Sequence, residues 1–150
     1  MHDGRLKKIS APTVVINGTT AQVSVQVRND GDHAETFGVY ADILPPGNGN
    51  NPFGCTPTGR IIDTVVSLGI GVHDKQAVVS ATNTFSCTDA AGAEGLPWTV
   101  IAVVDVHADD GGACGPGQLL SITCFNALAD DDDNDFNHRT QRDCCELKLS

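Results

Sequence analysis

Ala21-Gln22-Val23-Ser24-Val25-Gln26-Val27-Arg28 alternates apolar and polar side chains at every step. A period of two places Ala21, Val23, Val25 and Val27 on one face of a strand and their neighbours on the other, so one face meets a core and the other meets water. The stretch runs into Asn29-Asp30-Gly31-Asp32, a turn cluster in which Gly31 is expected to supply a positive φ.

Outward from this strand the same grammar repeats. Thr36 to Leu44 carries Phe37, Val39, Ala41 and Ile43 on an inward face, and Pro45-Pro46-Gly47 stops it, because proline cannot donate to a sheet ladder. The loop that follows runs to about Gly59 and holds Cys55. Arg60 to Leu68 and Gln76 to Cys87 read as two further strands around Gly69-Ile70-Gly71-Val72-His73-Asp74. Trp98 to His107 is almost continuously apolar, as expected of a central strand covered on both sides. Gln118 to Leu128 and Arg142 to Leu149 are the last strand candidates, and Leu6 to Ile16 is a weaker first one, interrupted at Pro12.

No window holds a helical i, i+3, i+4, i+7 stripe. The pattern predicts an all-β fold: a single domain over residues 1–150, an immunoglobulin-like antiparallel β-sandwich of about seven to eight strands. The aromatics are few, with one Trp, one Tyr and five Phe, so Val, Ile, Leu and Ala must build the core.

Six cysteines, Cys55, Cys87, Cys114, Cys124, Cys144 and Cys145, make an even set, and no pair has C-x-x-C spacing. The expectation is three disulfides stapling the sandwich in an oxidising compartment, with all 15 pairings open. Neighbours in a strand point opposite ways, so Cys144 and Cys145 are expected to bond to different segments. The formal net charge of -10 repels phosphate backbones and argues against nucleic acid as a partner. No run of 18 apolar residues exists to span a bilayer. Met1-His2-Asp3-Gly4 opens directly into polar sequence, so an exported protein would carry this chain as its mature part or as a fragment.

The order of motifs then becomes informative. Val27-Arg28-Asn29-Asp30-Gly31 is followed by Ala34-Glu35-Thr36-Phe37-Gly38-Val39-Tyr40, then Val66-Ser67-Leu68-Gly69-Ile70-Gly71, then Trp98-Thr99-Val100-Ile101-Ala102-Val103-Val104-Asp105. An acidic, Asn-containing loop, Asp130 to Asn137, precedes the terminal strand. This order resembles the bacterial and archaeal cell-adhesion-related (CARDB-like) domains, immunoglobulin-like sandwiches of surface and extracellular proteins. The resemblance implies adhesion or scaffolding and offers no catalytic residue. The long Pro45–Gly59 loop and the six cysteines depart from the family pattern.

The acidic loop is the strongest local signal. Asp131, Asp133 and Asp135 have the opening spacing of an EF-hand, but Phe136 stands where that loop needs Gly and its twelfth position lacks Glu. The choice is a looser Ca²⁺ site, with Asp109 and Asp110 as further ligands, or a solvated acidic turn. The five histidines (His2, His33, His73, His107 and His138) are scattered with no H-x-x-x-H pair, and read as surface groups. No G-x-S-x-G elbow and no phosphate loop is present, so an enzyme is not expected. Asn17-Gly18-Thr19 is the sole N-x-S/T sequon and makes Asn17 a candidate glycan site.

The function expected from these features is an extracellular or cell-surface structural protomer. It would self-associate into a homopolymeric fibre, pilus-like filament or surface layer through non-covalent strand and edge contacts, with residues 5–16 as an exchange strand. The alternative is a monomeric adhesion or ligand-binding module of a larger surface protein, with its site in the Pro45–Gly59 or Asp130–Asn137 loops. Neither requires a cofactor, and Ca²⁺ at the acidic loop is the optional one.

Overall fold

The computed structural model describes residues 2–12, 14–16, 19–45, 55–87, 98–106, 115–119, 121, 135–136, 138–144 and 146–148. In chain order the strands are β1 (His2–Ser10), β2 (Val14–Ile16), β3 (Thr20–Ala21), β4 (Ser24–Asn29), β5 (Glu35–Leu44), β6 (Cys55–Thr56), β7 (Gly59–Leu68), β8 (Gln76–Ser80), β9 (Phe85–Cys87), β10 (Trp98–Val106), β11 (Asp135–Phe136), β12 (His138–Cys144) and β13 (Glu146–Lys148). Two four-stranded sheets, ordered β11-β1-β4-β8 and β12-β10-β5-β7, form the sandwich, and the other five strands make two small sheets, β13-β2 and β3-β9-β6.

The alternation in β4 does what its period dictates. Val25 and Val27 are buried while Ser24, Gln26 and Arg28 are half-buried on the outer face. They join Leu6 and Ile9 of β1 against Phe37, Val39, Ala41 and Ile43 of β5 and Val100, Ala102 and Val104 of β10. The sheets meet closely at Gly4, where a Cβ would lie 2.9 Å from the Phe37 ring and 3.1 Å from Val104.

β10 pairs with β5 on one side and β12 on the other. Its second face is also buried: Ile101 and Val103 pack with Tyr40 and Leu119, backed by Leu44. Leu119 belongs to the Gln118–Leu128 strand candidate, of which residues 118, 119 and 121 are described. Residues 115–119 instead form a turn, closed by Gln118 N–H donating to Gly115 O at 3.1 Å. Pro116-Gly117, with Gly117 at φ 81°, bends the chain there.

A buried ion pair fixes this cover. Arg60 Nε donates to Asp42 Oδ1 at 2.7 Å, and Leu119 N–H donates to Asp42 Oδ2 at 3.1 Å. Arg60 also donates to Gly115 O at 3.1 Å, and its guanidinium lies 5.6 Å from the Tyr40 ring centroid. Asp42 is fully buried, so its charge is tolerated because both oxygens are bonded.

The structure refines other expectations. Two pairs are parallel, β1 with β11 and β2 with β13, which is open to segments joined by long connections. Gln76–Cys87 is two strands, broken at residues 81–84. The described part of Arg142–Leu149 falls in two strands, β12 and β13, which belong to different sheets. The 29–33 turn is not held by a positive-φ Gly31, since the described positive-φ glycines are Gly59 and Gly117. The Asn29 side chain closes it, as described below.

Candidate functional site

β1 starts, β4 ends, β5 starts and β10 ends at one pole of the sandwich, where Gly4 pairs with Asn29 and Val106 with Phe37. The turn between β4 and β5 is built around Asn29, which is 2% exposed. Its Oδ1 accepts from Gly31 N–H at 2.9 Å, while its Nδ2 donates to His33 O at 2.7 Å, Leu68 O at 3.3 Å and Gly69 O at 3.2 Å. An Asx turn thereby ties this loop to the β7–β8 connection.

The turn collects charged groups that lie far apart in sequence. The His2 Nδ1 meets the Glu35 carboxylate, the His2 ring stacks on His33 at 5.1 Å between centroids, and His33 Nδ1 lies 2.6 Å from Asp32 Oδ1. Two stacked imidazoles thus sit between two carboxylates. Beside them Asp30 accepts from Arg28 through Nε and through Nη2 at 3.1 Å, and Arg5 Nε lies 3.0 Å from the same carboxylate.

The hydrogen bonds from Arg28, helped by the charges of Arg28, Arg5 and Lys7, hold the Asp30 carboxyl below the usual carboxylate range. A depressed folded pKa means that the unfolded state binds more protons as pH falls, so stability is present above about pH 4 and is lost as pH drops through the folded value. The Asp30→Asn variant is expected to show a flatter loss of stability below about pH 4 than wild type in urea titrations. Parallel acid limbs for the two proteins would refute this role.

Among the described residues, no three His, Cys, Asp or Glu side chains form a group that could hold a metal ion. The reason is local: Asp30 is engaged by arginines, Glu35 by His2 and Asp32 by His33. β11 brings its end here, with Asp135 opposite His2 and Phe136 opposite Asp3.

Asp131 and Asp133 lie outside the described residues, as do Asp109, Asp110, Asn17, Cys114, Cys124 and Cys145. Cys144 ends β12 opposite Trp98, and Cys87 ends β9 opposite Cys55. Cys55 is fully buried and disulfide-bonded. Reading the histidines as scattered misses the His2–His33 stack, because their sequence spacing carries no sign of it. At the β7 edge, a shallow depression of about 250 Å³ is lined by Pro57, Arg60, Ile61, Asp63, Thr82 and Asn83, but its Arg60 is already held by Asp42.

No protein-family model and no curated protein sequence matches the chain. Solved structures do. The CARDB domain of a Pyrococcus furiosus protein, determined in complex with di-metal ions, aligns at a TM-score of 0.52 and 17% identity, covering 98% of this chain and 89% of that one. A chain of the human seminal-plasma complex between Zinc 2-glycoprotein and prolactin inducible protein aligns at 0.45 and 13% identity, over 97% of each chain. The fold is that of a CARDB-like immunoglobulin sandwich.

Proposed function

We propose that this CARDB-like sandwich is a non-enzymatic, extracellular adhesion-type module of a cell surface that carries Ca²⁺ at the pole where β11 meets β1. The carrying observation is the β1–β11 register, which sets Asp135, the residue that follows the acidic run in sequence, opposite His2 at a pole rich in His and carboxylate groups. Clustered carboxylates suit a hard cation that takes six to eight oxygens, and the di-metal complex of the Pyrococcus CARDB domain is a precedent on the same fold. Among the described residues no helix is long and apolar enough to cross a membrane.

The module reading is favoured over a fibre built by exchanging residues 5–16. β1 lies between β11 and β4 of its own sheet with Leu6 and Ile9 in the core, so its apolar face is already used. Export accounts for the cysteines. In this reading the six are three bridges, the first joining Cys55 to Cys87, which stand directly opposite in the β6–β9 ladder. The Asn17 sequon between β2 and β3 carries a glycan.

Calcium removal supplies the test. A ligand held only by the folded state at 100-fold excess over its Kd stabilises by about 2.7 kcal/mol, or roughly 5–10 °C for a chain of this size. Chelator is expected to lower Tm by that amount, calcium to restore it, and the Asp131→Asn, Asp133→Asn double variant to lose the response. An unchanged melting curve in excess chelator leaves the acidic loop as a solvated turn.

A further inference from the structure

Among the described residues, the large apolar side chains left exposed are Val65, Ile70, Val72 and Val78, and all four lie between β7 and β8 on one flank. That flank holds one edge of each main sheet, β8 and β7, with no further strand paired to either among the described residues. Open edges expose unpaired main-chain groups and are ordinarily blunted by charge, proline or a bulge. Three of the four outer strands carry such devices. β7 has Arg60, Asp63 and a bulge, β12 has Arg139, Arg142 and Asp143, and β11 has Asp135. β8, Gln76-Ala77-Val78-Val79-Ser80, has no charge, no proline and an unbroken register with β4.

We propose that a second copy of this chain occupies that edge, pairing β8 with β8 antiparallel about a two-fold axis at Val78. The occupant follows from self-complementarity. In this register Val78 faces the partner's Val78, Gln76 faces the partner's Ser80 and Ala77 faces the partner's Val79. Polar residues meet polar ones, apolar meet apolar, and side-chain parity is kept, so Ala77 and Val79 stay on the core side as the pleat requires.

Charge selects the same edge. Two copies of a chain at -10 repel across most approaches, but β8 brings no charged pair together. Each Lys75 stands opposite the partner's Ala81, and the two lysines are about 20 Å apart along the ladder, beyond a Debye length of about 8 Å. The contact is isologous, so it closes as a dimer instead of growing a filament. It is independent of the calcium reading, because it uses no residue of the β1–β11 pole.

Sedimentation velocity over a concentration series of the full chain tests it. Wild type is expected to be a reversible dimer that does not grow further. Val78→Lys and Val78→Glu, at a site 66% exposed, are each expected to match the wild-type melting temperature at concentrations where wild type is monomeric and to weaken dimerisation roughly tenfold or more, since like charges then oppose each other on the axis. An equimolar mixture of the two is expected to recover a dimer, because Lys then faces Glu. Val72→Lys, in the turn outside the ladder, is expected to dimerise as wild type does. A wild type that is monomeric throughout, one that forms filaments, or a Val72→Lys defect equal to that of Val78→Lys overturns the assignment.

Discussion

Asp42→Ala is expected to lower stability by about 3–5 kcal/mol, the usual cost of removing one partner of a buried ion pair. Asp42 receives Arg60 Nε at 2.7 Å and Leu119 N–H at 3.1 Å, and neither of its oxygens reaches water. Without it the guanidinium, whose side chain is 10% exposed, keeps the Gly115 carbonyl, the Tyr40 face and a distant Asp63 at 3.7 Å. Asp63, largely exposed and at 3.7 Å, is a weaker counter-charge than the fully buried Asp42. The 115–119 turn loses its anchor in the same step, and Ile101 and Val103 lose part of their cover. Asp42→Asn keeps an acceptor and is expected to fall between wild type and Asp42→Ala. Asp42→Leu combined with Arg60→Met is expected to recover most of the loss, because desolvating both charges roughly cancels their attraction. Urea midpoints at unchanged m-value read all three. A loss under about 1 kcal/mol for Asp42→Ala would mean that the pair behaves as a surface one.

The second large effect is expected at Cys55→Ala. β6 is two residues long and meets β9 through two residue pairs, a ladder too short to persist alone. Cys55 is buried and disulfide-bonded, and a bridge to Cys87 closes a loop of about 30 residues, worth roughly 3–4 kcal/mol in the chain-entropy account. Cys55→Ala is expected to lower stability by about that amount, and Cys87→Ala by a similar amount. Adding the second change to the first is expected to cost little more, since one bridge is lost either way. Peptide mapping without reductant is expected to recover the segments around Cys55 and Cys87 as one linked species. Recovery of Cys55 linked to any of the other four cysteines overturns that pairing.

What could be read in advance follows physical lines. The β4 alternation and the apolar run of β10 were legible because burial repeats along a strand with a fixed period. Both strands stand where that period placed them, with Val25 and Val27 in the core and β10 central. Of the Gln118–Leu128 strand candidate, residues 120 and 122–128 lie outside the described residues; at its start Leu119 belongs to a turn and covers the back of β10, and a single capping contact has no period. Asn29 was taken as one of several turn residues, although its amide is what closes the loop. The His2–His33 stack joins β1 to the β4–β5 turn, and the Asp42–Arg60 pair joins β5 to β7. Such pairs appear only once strand register is known, and composition does not contain register.

The two parallel pairs also bear on the order in which the molecule can form. β1 finds β11, and β2 finds β13, only after most of the chain has been made. Contacts this distant in sequence are entropically late and give slow folding. During synthesis or passage across a membrane, β4, β5, β7 and β8 can pair among themselves as they emerge. The first ten residues then lack their outer neighbour until residues 135–136 arrive. The nascent chain is therefore held short of its native state until β11 and β13 have been made.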